Sequence, residues 1–414
     1  MPNCRVCGGN NLEQFLDLTD QPHCNSLLLP DQLDCKEPYY PMRVWFCHDC
    51  TTVQIDHTVP KETMFADYYY VSGTTNTLRQ HFADSTARLV KELGLKAGDR
   101  VVDIGSNDGT WIKIYAPYGI KATGVEPATN LATQANKEGS DTLNTFFNVA
   151  AAEEILKTRG APKLVTAAGV FFHLEELHSA TEGVARLIGD TGTFCVQAIY
   201  LGEILKHTEF DNIYHEHLTY WTVRSIQKLF DQFDLEVYRA GLLPIHGGSL
   251  ELLVAKKGTR KIDETVGRYL ADETAKGYDK IETYRAFANR VWKIKGKLLA
   301  ILKDYKARGK TVFAFGAPAK GATTLNSFKI STDLVPYSVE RNPLKIGKVI
   351  PGARIPIIDE TSAPLPDAYL ILPWNFLPEF LKKKRDYIMG GGAFIVPVPD
   401  PVVIDKTNYD RYAS

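Results

Sequence analysis

The sequence predicts an α/β protein in three parts: a small N-terminal zinc module over residues 1 to 60, a doubly wound, mostly parallel sheet over 61 to 256, and a second α/β unit over 257 to 414. Three observations predict it. Two Cys-x-x-Cys pairs, Cys4/Cys7 and Cys47/Cys50, frame the first part. Through the second, apolar runs near 100 to 104, 121 to 126, 163 to 168, 192 to 198, 235 to 240 and 249 to 255 alternate with amphipathic stretches, as strands and helices do in such sheets. The third opens on another strand entering a glycine turn, Thr311 to Gly321.

Each cysteine pair can supply two thiolates from a tight knuckle to one tetrahedral ion. The chain has seven cysteines, an odd number, and Cys24, Cys35 and Cys195 follow no pattern, which argues for metal over a disulfide framework. Between the pairs lie Phe15, Leu16, Leu27, Leu28, Tyr39, Tyr40, Val44 and Trp45, too few apolar residues for an independent core, so the metal is expected to hold the segment together. A closed four-sulfur shell leaves no position for water or substrate, which makes the zinc structural. The alternatives are a disulfide pair, a redox dithiol, or replacement of one pair by His48 or another neighbour.

Next comes Phe65-Ala66-Asp67-Tyr68-Tyr69-Tyr70-Val71, ahead of a helix from about Leu78 to Leu93. Three adjacent phenols cannot all point inward from an extended chain, so the stretch either packs between domains or brings a tyrosine to a ligand.

The central sheet is organised around Val101 to Thr110, an apolar strand, a turn with glycines at 105 and 109, and a helix start. Glycine lets backbone pass close under a ligand. The Gly-x-x-x-Gly spacing departs from the dinucleotide fingerprint, and Asp103 and Asp108 would meet a pyrophosphate unfavourably. Glu126, ending the next apolar run, is placed to accept the two ribose hydroxyls of an adenosine. Those acids suit S-adenosylmethionine better than NAD.

Phe171, Phe172 and His173 follow the strand near 163 to 168, at the carboxyl edge where ligands of such sheets bind. After the strand near 192 to 198 the alternation breaks at Gln197 to Trp221, which carries Asp211-Asn212-Ile213-Tyr214-His215-Glu216-His217 with no apolar period. So many titratable and aromatic side chains at that edge are what proton transfer needs. An imidazole with an ordinary pKa near ~6.5 can accept a proton at neutral pH, which makes His217 the candidate base. The alternatives are a structural loop or a metal site, though His-x-His lacks the spacing that puts two imidazoles on one helix face.

Residues 262 to 309 show helical spacing in Ile281, Tyr284, Phe287, Val291, Ile294 and Leu298 and predict one or two connecting helices. Beyond them, strands are expected at Thr311 to Phe315, Tyr337 to Val339, Ala368 to Leu372 and Ala393 to Val396. Lys320, at the helix start after the glycine turn, and Arg341 downstream suit phosphate.

Composition bounds the function. A formal net charge of -1 argues against a protein built around a nucleic-acid backbone, and 44% hydrophobic with 23% charged residues is the balance of a soluble globular chain. No apolar run reaches the length of a membrane span and the start lacks a signal-peptide core, so a cytoplasmic enzyme is expected.

The run Asp103-Ile104-Gly105-Ser106-Asn107-Asp108-Gly109, followed by Glu126, resembles the cofactor-binding motif of class I methyltransferases. This implies a Rossmann-like central domain with S-adenosylmethionine held by Asp103, Gly105, Asn107, Asp108, Gly109 and Glu126. Taken with the cysteine pairs, Tyr214-His215-Glu216-His217, His246-Gly247-Gly248-Ser249 and the C-terminal α/β unit, the chain resembles the zinc-containing, S-adenosylmethionine-dependent sugar C-methyltransferases, the nucleotide-linked 4-keto deoxysugar 3-C-methyltransferases among them. The resemblance covers essentially the whole chain.

It implies His217 as the base that removes a proton beside the ketone, with Glu216, Tyr214 and His173 as neighbouring site residues. A further site tyrosine falls within 68 to 70, assigned to Tyr68 and Tyr70. Lys320, Arg341 and His246 are expected on a dTDP- or GDP-linked 4-keto sugar, with the C-terminal unit contributing to nucleotide-sugar binding. The expected assembly is a monomer or homodimer, with no nucleic-acid or membrane partner. The sugar, and whether C3 or C5 is methylated, stay open. So do two rival classes: an oxygen or nitrogen methyltransferase, which needs no enolate stabilisation, and a non-catalytic nucleotide-binding module, which leaves His217 and Glu216 without a role.

Overall fold

A computed structural model of the protein describes residues 2–65, 68, 71–245 and 247–413. Tyr70 and His246 lie outside the described residues.

The zinc module is a small antiparallel sheet of β1 (Leu12–Asp17), β2 (Arg43–Cys47) and β3 (Val53–Ile55). Its inward side chains, Leu16, Val44, Phe46, Val53 and Ile55, are buried. They join one continuous apolar core that extends through the central sheet to the C-terminal one. At about 1.5–3 kcal/mol for each large side chain removed from water, this packing adds to whatever the metal contributes.

The central sheet contains β4 (Arg100–Ile104), β5 (Lys121–Val125), β6 (Asp141–Leu143), β7 (Leu164–Ala168) and β8 (Thr193–Ile199), all parallel. β9 (Thr219–Tyr220) leaves this sheet and pairs with β3, Val53 opposite Tyr220 and Gln54 opposite Thr219, as fourth strand of the zinc module. The stretch just before it, Tyr214 to His217, is thereby fixed between the two parts. β10 (Leu235–Leu243) and β11 (Ser249–Lys256) close the central sheet antiparallel, giving the order β10-β11-β8-β7-β4-β5-β6.

Two helices, Glu264–Ala275 and Ile281–Ala307, occupy the connecting region. The second, at 27 residues, is about 40 Å long. Its apolar stripe packs Tyr284 against Phe15 and Phe46 of the zinc module. It leads into a sheet of β12 (Val312–Phe315), β13 (Ser338–Glu340), β14 (Val349–Ile350), β15 (Ile355–Asp359), β16 (Ala368–Ile371), β17 (Ala393–Val396) and β18 (Val402–Ile404). The order is β14-β15-β13-β12-β16-β17-β18, parallel inside with antiparallel edges. In the two larger sheets, β6, β14, β15 and β18 go beyond the strands expected from sequence. All four stand at or next to a sheet edge, and three of them are only two or three residues long, too short to carry a period.

Candidate functional site

The turn after β4 is shaped by its glycine. Gly105 sits at φ +70°, and a Cβ there would lie 2.4 Å from Val170 Cγ2. Asn107 also takes a left-handed conformation, at φ +53°, which asparagine tolerates better than most residues. Its N–H donates to Glu126 Oε2 at 2.8 Å, and the Ala128 N–H donates to Oε1 at 2.8 Å. Burial pushes the Glu126 carboxyl above its ordinary range, and the two amides partly offset this. Gly105, Asn107, Glu126, Phe146 and Phe147 line one end of a cavity of about 1390 Å³.

Other motif residues stand behind this wall. Asp103 is buried, accepts the Thr166 hydroxyl at 2.5 Å and is pushed up to about 7 by burial; it braces the end of β4 and does not line the cavity. Asp108 accepts the Gly73 N–H at 3.1 Å, and Gly109 opens the helix Thr110–Ile114. The residues present fit S-adenosylmethionine: a carboxylate at the end of β5, a backbone turn without Cβ, and two phenylalanines beside them.

The middle of the cavity is lined by Tyr68, His173, Tyr214 and His217. The His217 ring lies 3.9 Å from that of Tyr214 and 5.0 Å from that of His173, centre to centre. His217 Nδ1 is 2.7 Å from the Asn212 carbonyl, and His173 Nδ1 is 2.6 Å from the Glu216 carbonyl. A carbonyl only accepts, so each Nδ1 carries a hydrogen, and in the neutral form of either ring the lone pair is on Nε2. Burial holds His173 below the usual histidine range, hence neutral at pH 7. His215 points the other way and hydrogen-bonds the Tyr40 and Pro41 carbonyls of the zinc module. Among the described residues His215 and His217 form no group compact enough for a metal.

Glu216 does not line the cavity. It is buried behind it, and Tyr68 donates its hydroxyl to Oε2 at 3.0 Å. Oε1 accepts from His23 Nε2 at 3.0 Å and from Asn25 Nδ2 at 2.5 Å. Burial by itself raises this carboxyl, but the His23 hydrogen bond and the nearby imidazoles outweigh it and bring Glu216 down to about 2.

The far wall comes from the C-terminal unit. Lys320, in the first turn of the helix Ala319–Phe328, lies 4.3 Å above the Trp374 ring, and both line the cavity. The Trp374 indole N–H donates to Asp211 Oδ2 at 2.6 Å. Burial lowers Lys320, opposed by Asp211 and Glu209; Glu209, also on the wall, is pushed up to about 8 by burial and then by Asp211. Arg341 is not on this wall: it is 64% exposed and bonded to Glu360 at 2.7 Å. Gly247 and Gly248, next to His246, line the cavity at φ +88° and +116°, and a Cβ on Gly248 would come within 2.7 Å of Glu203 Cγ.

Sequence reasoning passed over His23, Asn25, Phe146, Phe147, Glu209 and Trp374. Trp374 follows the carboxyl end of β16, where ligands of such sheets bind, so that rule could have found it; Phe146 follows β6, a strand too short to be expected from sequence. Nothing in the spacing of His23 and Asn25 marks them.

In the zinc module, Cys4, Cys7, Cys47 and Cys50 bring their four sulfurs within 4.8 Å of one another, with Cys4–Cys50 at 3.4 Å and Cys7–Cys47 at 3.7 Å. Bonds of ~2.3 Å to a tetrahedral zinc separate sulfurs by about 3.8 Å, so the cluster fits the ion. The hydrogen bond that Cys4 and Cys50 share lowers the Cys50 thiol and raises that of Cys4, so without metal the pair holds its charge on Cys50.

Three family models match in succession: a zinc binding domain over residues 4–65, a methyltransferase domain over 76–240 and the C-methyltransferase C-terminal domain over 244–399. The C-methyltransferase NovU of Streptomyces niveus is 33% identical over 404 residues, covering 97% of this chain and 96% of the relative. The magnesium protoporphyrin IX methyltransferase ChlM of Synechocystis, solved with bound SAM, is 14% identical over 43% of this chain and 79% of its own, with a TM-score of 0.33. An S-adenosylmethionine-dependent methyltransferase of Clostridium acetobutylicum is 11% identical over 45% of this chain and 94% of its own, with a TM-score of 0.35. Among the described residues, no helix is long and apolar enough to cross a membrane.

Proposed function

The chain belongs to the family of zinc-binding, S-adenosylmethionine-dependent C-methyltransferases, and from that premise we propose that it methylates the carbon beside the ketone of a nucleotide-linked 4-keto deoxysugar, in deoxysugar biosynthesis. The observation that carries this reading is one cavity whose lining includes Glu126, His217, Tyr214 and Lys320. A carboxylate for the cofactor, a proton acceptor and a cation suited to a diphosphate thereby share one cavity.

In this reading Glu126 accepts the ribose hydroxyls of the cofactor, while Gly105 and Asn107 shape the turn beneath it. When bound, S-adenosylmethionine supplies a methyl group on a positively charged sulfur, which departs as a neutral thioether. His217 Nε2 takes the proton from the carbon beside the ketone. The C–H electron pair becomes the enolate double bond, and the carbonyl π pair moves to oxygen. Tyr214, whose phenol burial keeps protonated, donates to that oxygen. The enolate carbon then forms its bond to the methyl group, the ketone is restored, and His217 passes its proton to water.

Lys320 and the N-terminus of its helix meet the diphosphate of a dTDP- or GDP-linked sugar. His173 and Tyr68 complete the surroundings of the sugar. Residues 1 to 60 then serve as the zinc module, 61 to 256 as the methyltransferase domain and 257 to 414 as the unit that holds the nucleotide sugar, in a cytoplasmic enzyme.

Solvent exchange tests the enolate. In deuterium oxide, with dTDP- and GDP-4-keto-6-deoxy sugars and no methyl donor, the protein is expected to incorporate deuterium beside the ketone. On addition of S-adenosylmethionine, a product heavier by one methyl group is expected, with NMR placing it on carbon. A methyl group found on oxygen or nitrogen would overturn the reading.

A further inference from the structure

The zinc module touches the candidate site through more than its sheet. Ahead of β2, the loop His23-Cys24-Asn25 enters the space behind Tyr68 and surrounds Glu216. Glu216 and His23 are both buried, at 1% and 5% exposure, so their hydrogen bond does not compete with bulk water. An ionised carboxylate only accepts, so His23 presents Nε2–H, and its Nδ1 lies 3.1 Å from the Ser26 hydroxyl. With Oε1 engaged by His23 and Asn25, the carboxylate plane is fixed and Oε2 is left to accept from Tyr68.

The Tyr68 backbone is pinned separately. Its N–H donates to Asn130 Oδ1 at 3.2 Å, and its carbonyl accepts from Asn130 Nδ2 at 3.0 Å. The methyltransferase domain therefore holds the chain of Tyr68, while the zinc module, through Glu216, holds its hydroxyl.

We propose that His23 and Asn25 are positioning residues for methyl transfer, holding Glu216 so that Tyr68 keeps a fixed place at the cavity wall. The metal-ordered module is on this account a working part of the active site. The proposal rests on the reading of this cavity as the methyl-transfer site.

The groups facing Glu216 are His23 and Cys24 from the zinc module, Tyr68, and the site residues His173, Tyr214 and His217, with Lys345 beyond Cys24. Removing the His23 donor leaves burial to raise the Glu216 carboxyl. Activity that needs the carboxylate should then be lost as pH falls through the raised value, moving the acid limb of the kcat profile to higher pH.

The test compares the full-length parent with His23→Ala, Asn25→Ala and His23→Gln. Zinc content and S-adenosylmethionine affinity are measured first, then deuterium exchange and methyl transfer across pH. Expected are one zinc per chain and unchanged cofactor affinity in every variant, kcat reduced about 10- to 100-fold in His23→Ala and less in Asn25→Ala, and an acid limb displaced upward. His23→Gln, which restores a donor, should recover part of the rate.

Unchanged kcat and acid limb in zinc-replete His23→Ala would overturn the proposal, as would a second metal ion lost with His23, whose ligand atom lies within 4.8 Å of those of Cys24 and Glu216. If His23→Ala loses its zinc, Asn25→Ala and His23→Gln decide by the same criteria. A parent that neither exchanges deuterium nor methylates these sugars would instead count against the proposed function.

Discussion

The two walls of the cavity are built on opposite principles. The wall proposed for the cofactor is local: Gly105, Asn107 and Glu126 belong to one strand–turn–helix–strand unit, and most of its hydrogen bonds use backbone amides. The wall facing them is assembled from afar. Tyr68, His173, His217 and Lys320 come from four stretches of chain, and Glu216 behind them is held by His23, 193 positions away. A local wall persists wherever the βαβ unit folds, whereas an assembled wall depends on every interface that converges on it. The first suits a cofactor shared by many chemistries, and the second is where a particular substrate is met.

The sharpest way to break this contrast is His217. Its Nδ1 is committed to Asn212, so its proposed work is proton transfer at Nε2 and not structural anchoring. His217→Ala is expected to lower methyl transfer by about 10²- to 10⁴-fold, towards the upper end because the carbon cannot react before deprotonation. Deuterium exchange should fall in parallel while calorimetry shows unchanged cofactor affinity. Exchange surviving within a few-fold would move the base to His173.

Glu126→Ala probes the other wall and should do the reverse. Losing the acceptor for the ribose hydroxyls removes hydrogen bonds to a charged group, worth about 1.5–3 kcal/mol, or roughly 10- to 100-fold in cofactor Kd. Exchange into the sugar without cofactor should stay near the parent rate. Equal loss of exchange would show that the two walls are not separable.

Legibility follows the same division. The strand-and-turn pattern around Gly105, the acid at Glu126 and the cysteine pairs lie within short windows, and they placed the sheet and the zinc cluster from sequence. What periodicity could not show was depth. Asp103 and Asp108 have the same chemistry as Glu126, yet Asp103 faces Thr166 inside the sheet and Asp108 holds the backbone of Gly73. Likewise Tyr214 to His217 are legible as a cluster, but only the pairing of β9 with β3 decides that His217 lines the cavity and that His215 turns to the zinc module. His23 and Asn25 were invisible because a loop carries no period and their partner is remote.

The least effect, and the one that tests whether position rather than charge makes the far wall, is expected at Arg341. By charge alone it equals Lys320 as a partner for a diphosphate. By geometry the two differ: Lys320 lies on the cavity wall against Trp374, whereas Arg341 is largely exposed and already paired with Glu360. Exposed ion pairs contribute little because water and salt screen them. Lys320→Ala should therefore raise KM for the nucleotide sugar about tenfold or more, while Arg341→Ala should leave both KM and kcat within twofold of the parent. Steady-state kinetics at two ionic strengths separates these outcomes. A comparable rise in KM for Arg341→Ala would place the nucleotide across the mouth of the C-terminal sheet, outside the wall that Lys320 and Trp374 form.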